Sequence, residues 1–69
     1  MTTINIGIKI RELRLQKGLS QEKLANLIGV SKQRVSQIET GGYDIGFNTL
    51  REVLYALDHD ILIIKIPKL

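Results

Sequence analysis

Lys32, Gln33 and Gln37 are the side chains in this sequence whose type and spacing suit recognition chemistry. Glutamine offers a paired amide donor and acceptor that matches the exposed edge of adenine. Lysine donates to O6 and N7 of guanine. Gln33 and Gln37 stand one helical turn apart, and Lys32 lies beside them at the start of the segment, where a helix laid in a DNA groove first reaches base edges. Arg34 and Ser36 are better placed for phosphates or the groove wall, with Ser31 and Thr40 as backbone contacts at either end. Upstream, Ser20 and Gln21 open another helical segment, where free backbone N–H groups and the helix dipole can hold a phosphate and the Gln21 side chain adds a donor. Each of these residues taken singly also fits an ordinary solvated helix face.

Two short amphipathic helices must position them. From Gln21 to Glu39 the chain reads QEKLANLIGVSKQRVSQIE. Ser20 is the N-cap of the first of these helices, with Leu19 and Leu24 as a hydrophobic staple across its start. Leu24, Leu27 and Ile28 are expected inward, and Gly29 ends the helix in a left-handed conformation. Ser31 repeats the grammar with Val30 and Val35 as the staple. Val35 and Ile38 face inward, and Gly41-Gly42 closes the segment. Two helices joined by a tight turn form a helix-turn-helix, the plan that places the second helix in the major groove.

Flanking helices complete the core. One is expected from Ile6 to Lys17, with Ile6, Ile10, Leu13 and Lys17 on one face and Gly18 as its cap. A competing strand period runs through Ile4, Ile6, Ile8 and Ile10. Another is expected from Phe47 to Leu57, capped by Gly46 and stapled by Ile45 and Leu50. Phe47, Leu50, Val53, Leu54 and Leu57 form its inward stripe, and Asp58-His59-Asp60 turns the chain away. The expected organisation is a single domain over residues 1–69, with a helical bundle over 6–58.

Charge is distributed to match. Residues 9–34 carry seven cations against two acids, whereas residues 35–69 carry three cations against five acids. The segment with the base-reading pattern is thus the basic half, as phosphate attraction requires. The chain has no Cys and one His, His59, which excludes disulfides and argues against a zinc site. No apolar run is long enough to span a membrane. No leader pattern, phosphate loop, dinucleotide signature or catalytic grouping is present. A non-enzymatic protein without cofactor or metal, in the cytoplasm and at the nucleoid, is expected.

Arg14 and Glu39 lie beside the inward faces of the first and third helices. Their spacing allows a partly buried ion pair or two independent surface charges. The sequence also resembles the Cro/C1-type (Xre-like) helix-turn-helix family. The resemblance is carried by Ile10-Arg11-x-Leu13-Arg14, Gly18-Leu19-Ser20-Gln21-x-x-Leu24-Ala25, Gly29-Val30-Ser31, Val35-Ser36-x-Ile38-Glu39 and Thr49-Leu50, within residues 6–58. It implies a mainly α, lambda-repressor-like bundle of four to five helices and an Arg14–Glu39 interhelical ion pair. It also implies phosphate binding by Gln21 and base reading by Lys32, Gln33 and Gln37. Thr40 stands where the family usually has Asn, and Tyr43 and Asp44 replace the usual basic residues of the following loop.

The tail departs from the plain family. Ile61-Leu62-Ile63-Ile64-Lys65-Ile66 is a β-branched run of strand length, and one such strand alone leaves its backbone edges unpaired. Pairing with the same strand of a second chain is expected, making Ile61, Leu62, Ile63, Ile64 and Ile66 a dimerisation segment over residues 61–66. That arrangement resembles HipB-like antitoxins and implies a cognate toxin partner, a HipA-like kinase or another type. Ile8 and Leu15, opposite the core stripe of the first helix, are a weaker partner surface. The expectation is a homodimeric repressor that binds an inverted repeat in double-stranded DNA, as the antitoxin of a self-repressing operon. A free-standing Cro/C1-type, phage-like regulator is the alternative. A protein-interaction module that does not use DNA is the alternative of another class.

Overall fold

Three of the four described helices begin at a side chain that caps their first turn. The computed structural model describes residues 5–41, 45–63 and 65–67. Among them are four helices: α1 (Ile6–Gln16), α2 (Gln21–Ile28), α3 (Lys32–Thr40) and α4 (Phe47–Ala56). Ser20 Oγ accepts from Lys23 N at 3.0 Å and Ser31 Oγ from Arg34 N at 3.1 Å. Gly29 ends α2 at φ +73°, and the N–H of Val30 closes back on the Ala25 carbonyl at 3.0 Å. Both the start and the stop of the helix-turn-helix are thus encoded locally.

The strand period through Ile6, Ile8 and Ile10 does not form. Asn5 caps α1 instead, its Oδ1 accepting from Ile8 N at 3.2 Å, so the helical stripe prevails over the two-residue alternation. Ile4, Gly42, Tyr43, Asp44 and Ile64 lie outside the described residues.

Ile10, Leu13, Leu24, Ala25, Val35, Ile38, Val53, Leu54 and Leu57 form the buried core, with the staple partners Leu19, Val30, Ile45 and Leu50 packed on its rim. α3 packs on both α1 and α2, and α4 packs on α2. Two expected core residues lie outside it. Leu24, Ala25 and Ile28 already span about 100° of the α2 circumference, and Leu27 falls about 60° beyond that arc, leaving it 57% exposed. Phe47 is the first residue of α4, and the residues of that helix that pack on the core begin at Leu50, so Phe47 is 60% exposed. Lys17 also leaves the stripe. Its ammonium donates to the Ala56 carbonyl at 2.9 Å and pairs with Asp58 at 3.1 Å, tying the end of α1 to the end of α4.

Gly7 marks the closest helix approach. A Cβ there would overlap the Ile38 carbonyl oxygen and lie 2.8 Å from that of Glu39. Gly7→Ala would ordinarily favour a helix interior by up to about 1 kcal/mol. Here the backbone of α3 must move, and overpacking of this kind costs about 1–3 kcal/mol. A lowered melting temperature is expected; an unchanged or raised one would show that α1 yields freely.

The expected C-terminal strand is absent among the described residues: 61–63 and 65–67 adopt no regular secondary structure. A strand needs a partner for its backbone groups, and the described residues supply none. Ile61 packs against its own core, while Leu62, Ile63 and Ile66 are 82%, 87% and 64% exposed. A latch fixes where this tail leaves. Arg51 donates two hydrogen bonds to Asp60, both 3.0 Å, and Asp60 accepts a third from Ile61 N at 2.7 Å. The Arg51 bond, then the Ile61 bond, hold the Asp60 carboxyl below the usual carboxylate range. A depressed carboxyl contributes above its ordinary value of about 4 and loses that contribution as pH falls through the lowered one. NMR titration should show Asp60 ionising low, moving upward in Arg51→Gln. No movement would mean that the latch is absent in solution.

Candidate nucleic-acid interface

The site is built on a strut beneath it. Arg14 Nε donates to Glu39 Oε2 at 2.6 Å and Nη2 to Oε1 at 3.0 Å, with the two side chains only 8% and 2% exposed. Nη1 donates to the Leu19 carbonyl at 2.8 Å. One guanidinium therefore joins α1, the start of α2 and the end of α3, using three donors in the fork geometry that suits a carboxylate. The spacing of these two residues left two arrangements open; the structure shows the buried pair.

This strut fixes α3 by its inner side and leaves the outer side clear. Lys32, Gln33 and Gln37 are exposed, and among the described residues their side chains take no partner. Arg34 and Ser36 are half-buried at the flank, and Ser31 and Thr40 are exposed at the two ends. Thr40 Oγ1 donates to the Gln37 carbonyl at 3.1 Å, so its hydroxyl proton is occupied. The Ser20 and Ser31 oxygens accept at their caps, which leaves each hydroxyl proton available. Gln21 is half-buried at the start of α2. Its Nε2 donates to Glu39 Oε1 at 3.2 Å, which commits one amide proton to the strut and leaves the second.

Arg11 is not among the expected contacts. It lines a surface cavity of about 350 Å³ together with Gln21 and Thr40. Its readable signal is that the residues three and four away on either side, Gly7, Ile8, Arg14 and Leu15, include no acid. Ile8 lies in this same cavity, whereas Leu15 is simply exposed. His59 Nδ1 lies 2.6 Å from the Leu57 carbonyl oxygen and serves the turn after α4. No helix among the described residues is long and apolar enough to cross a membrane.

A four-helix bundle presenting an unencumbered polar helix of this kind defines a helix-turn-helix protein. Residues 10–58 match the helix-turn-helix family HTH_3, and the chain belongs to that family. It is 51% identical over 35 residues to YgzD, an uncharacterised HTH-type transcriptional regulator of Bacillus subtilis, covering 51% of this chain and 53% of that protein. It is 41% identical over 56 residues to the uncharacterised HTH-type transcriptional regulator RC0668 of Rickettsia conorii, covering 81% of this chain and 45% of the relative. The chain thus spans about half the length of these curated relatives. Among solved structures it resembles the restriction-modification controller protein C.AhdI of Aeromonas hydrophila, with a TM-score of 0.78 and 37% identity over 83% of this chain and 86% of that one. The fold is accordingly mainly α and lambda-repressor-like, and these relatives are regulators rather than enzymes.

Proposed function

We propose that this chain is a homodimeric, sequence-specific DNA-binding regulator that represses transcription from an inverted-repeat operator. The observation that carries this reading is the outer face of α3, where Lys32, Gln33 and Gln37 stand exposed and, among the described residues, without partners on a helix braced from behind by Arg14 and Glu39. Base edges demand donors and acceptors that no intramolecular bond has consumed. Ser20, Gln21, Ser31, Arg34 and Ser36 surround that face as the phosphate-side contacts, and Thr40 joins them only by giving up its bond to the Gln37 carbonyl. The regulator names of the relatives support the reading.

Selection of duplexes from a randomised pool tests it. The expected product is an inverted repeat with half-sites about 34–36 Å apart, one helical turn, as a two-fold dimer requires. Affinity for it should fall by about 10³–10⁵ between roughly 50 and 200 mM salt if six to ten phosphates are neutralised. No enrichment together with a flat salt response would leave only the protein-interaction reading.

Within this reading, the exposed Leu62, Ile63 and Ile66 favour the tail as the adhesive segment of the homodimer. The antitoxin role adds a cognate toxin, HipA-like or of another type, and rests on that tail alone. The likeness to a controller protein favours a free-standing regulator instead. Co-purification of a second gene product at fixed stoichiometry would decide for the antitoxin; a homodimer alone would decide for the free-standing regulator.

A further inference from the structure

Between α2 and α4 the surface opens into a groove of about 340 Å³ walled by Leu27, Ile28, Glu52, Tyr55 and Ala56. Leu27 and Tyr55 are 57% and 73% exposed there. Glu52 lies in the same wall with its charge unspent. Among the described acids, Glu12, Glu39, Asp58 and Asp60 each have an ion pair, whereas Glu22 and Glu52 have none. The groove thus combines apolar walls with one free carboxylate.

The tail has the complementary make-up. Leu62, Ile63 and Ile66 are exposed, and Lys65, also exposed, has no ion-pair partner among the described residues. Residues two apart in an extended chain share a side, which puts Ile63 and Lys65 on one side about 7 Å apart. Tyr55 and Glu52, three residues apart on α4, are neighbours on the helix surface at about 5–6 Å. An apolar and a cationic side chain on the tail therefore match an apolar and an anionic one in the groove, at similar spacing.

The tail does not fill the groove of its own chain, since Ile63, Leu27 and Tyr55 all stay exposed. Its root nevertheless lies beside that groove. Tyr55 also borders the turn through Asp58, His59 and Asp60, and Arg51 latches Asp60 one helical turn from Tyr55. With root and groove side by side, two copies can exchange tails reciprocally about a two-fold axis and close the assembly.

We propose that the α2–α4 groove receives the tail of a second copy, with Ile63 against Leu27 and Tyr55 and Lys65 paired with Glu52. The proposal rests on the homodimer reading above and gives the tail an acceptor on the helical body rather than on another tail. No groove residue belongs to α3, so the exchange does not use the face that carries Lys32, Gln33 and Gln37.

Sedimentation equilibrium of the full chain, with circular dichroism to confirm folding, tests this. Leu27→Asp and Tyr55→Ser, both at exposed positions, should each raise the dimer Kd by about tenfold or more, as loss of a buried apolar contact does. Glu52→Lys and Lys65→Glu should each weaken the dimer by about fivefold, the upper worth of an exposed ion pair, and the two together should restore it. In a mixture of isotope-labelled and unlabelled copies, nuclear Overhauser effects should connect the Tyr55 ring of one copy with the Ile63 methyls of the other. A dimer indifferent to Leu27→Asp and Tyr55→Ser would overturn the proposal, and Ile63-to-Ile63 contacts would then assign the tails to strand pairing. Tyr55–Ile63 contacts confined to one copy would overturn it in favour of the chain's own tail. A double variant as weak as either single one would remove the Lys65–Glu52 pairing. A monomeric wild type would remove the homodimer reading itself, whereas a wild-type dimer untouched by the groove variants would remove only the groove.

Discussion

Glu39→Ala is expected to leave the protein largely unfolded at physiological temperature. The substitution strands the Arg14 guanidinium, buried among α1, α2 and α3, and removes the acceptor of Gln21 as well. Breaking one partner of a buried pair costs about 3–5 kcal/mol. A chain of 69 residues has a total stability of roughly 3–10 kcal/mol. The loss is therefore comparable to the whole, and urea or thermal unfolding should show it directly. Replacing both partners, as in Arg14→Met with Glu39→Leu, should recover most of it, because no uncompensated charge remains. A single-variant loss under about 1 kcal/mol would mean that the pair behaves like an exposed one.

The second large effect lies on the other side of α3. Lys32→Ala with Gln37→Ala should abolish selective binding while leaving the fold intact. Each well-made base contact contributes about 1–3 kcal/mol of discrimination, so removing both costs about 2–6 kcal/mol. Both side chains are exposed and without partners among the described residues, so stability should change by no more than about 0.5 kcal/mol. Competition between the selected operator and a mixed-sequence duplex reads the effect. Undiminished preference for the operator would move the reading surface off α3.

These two substitutions separate what could be read from the sequence and what could not. The helix boundaries were legible because Ser20, Ser31, Gly29 and Gly41 act on their own few neighbours, and capping is a local matter. The identity of the outward face of α3 was legible for a similar reason, since Val35 and Ile38 fix which side is buried. The Arg14–Glu39 bond spans 25 residues, and spacing alone could not choose between a strut and two solvated charges. Leu27 and Phe47 are apolar at plausible positions, but their exposure depends on where neighbouring helices end. The Asn5 cap went unread because the isoleucines around it also carried a strand period. The tail is the clearest case. Its composition favours a strand, yet a strand is a property of two segments, and composition describes one.

The caps of α2 and α3 have a consequence for how such a protein changes over generations. Ser31 and Gly41 delimit α3 through backbone hydrogen bonds and φ angles, and Val35, Ile38 and Glu39 anchor it. None of these tasks falls to Lys32, Gln33 or Gln37. On the proposed reading, mutations at those three positions are nearly neutral for folding while redirecting which sequence is read. Target choice, so assigned, and structural integrity then occupy separate residues of one nine-residue helix. A lineage can acquire new operators by drift at the surface without first finding compensating changes beneath it.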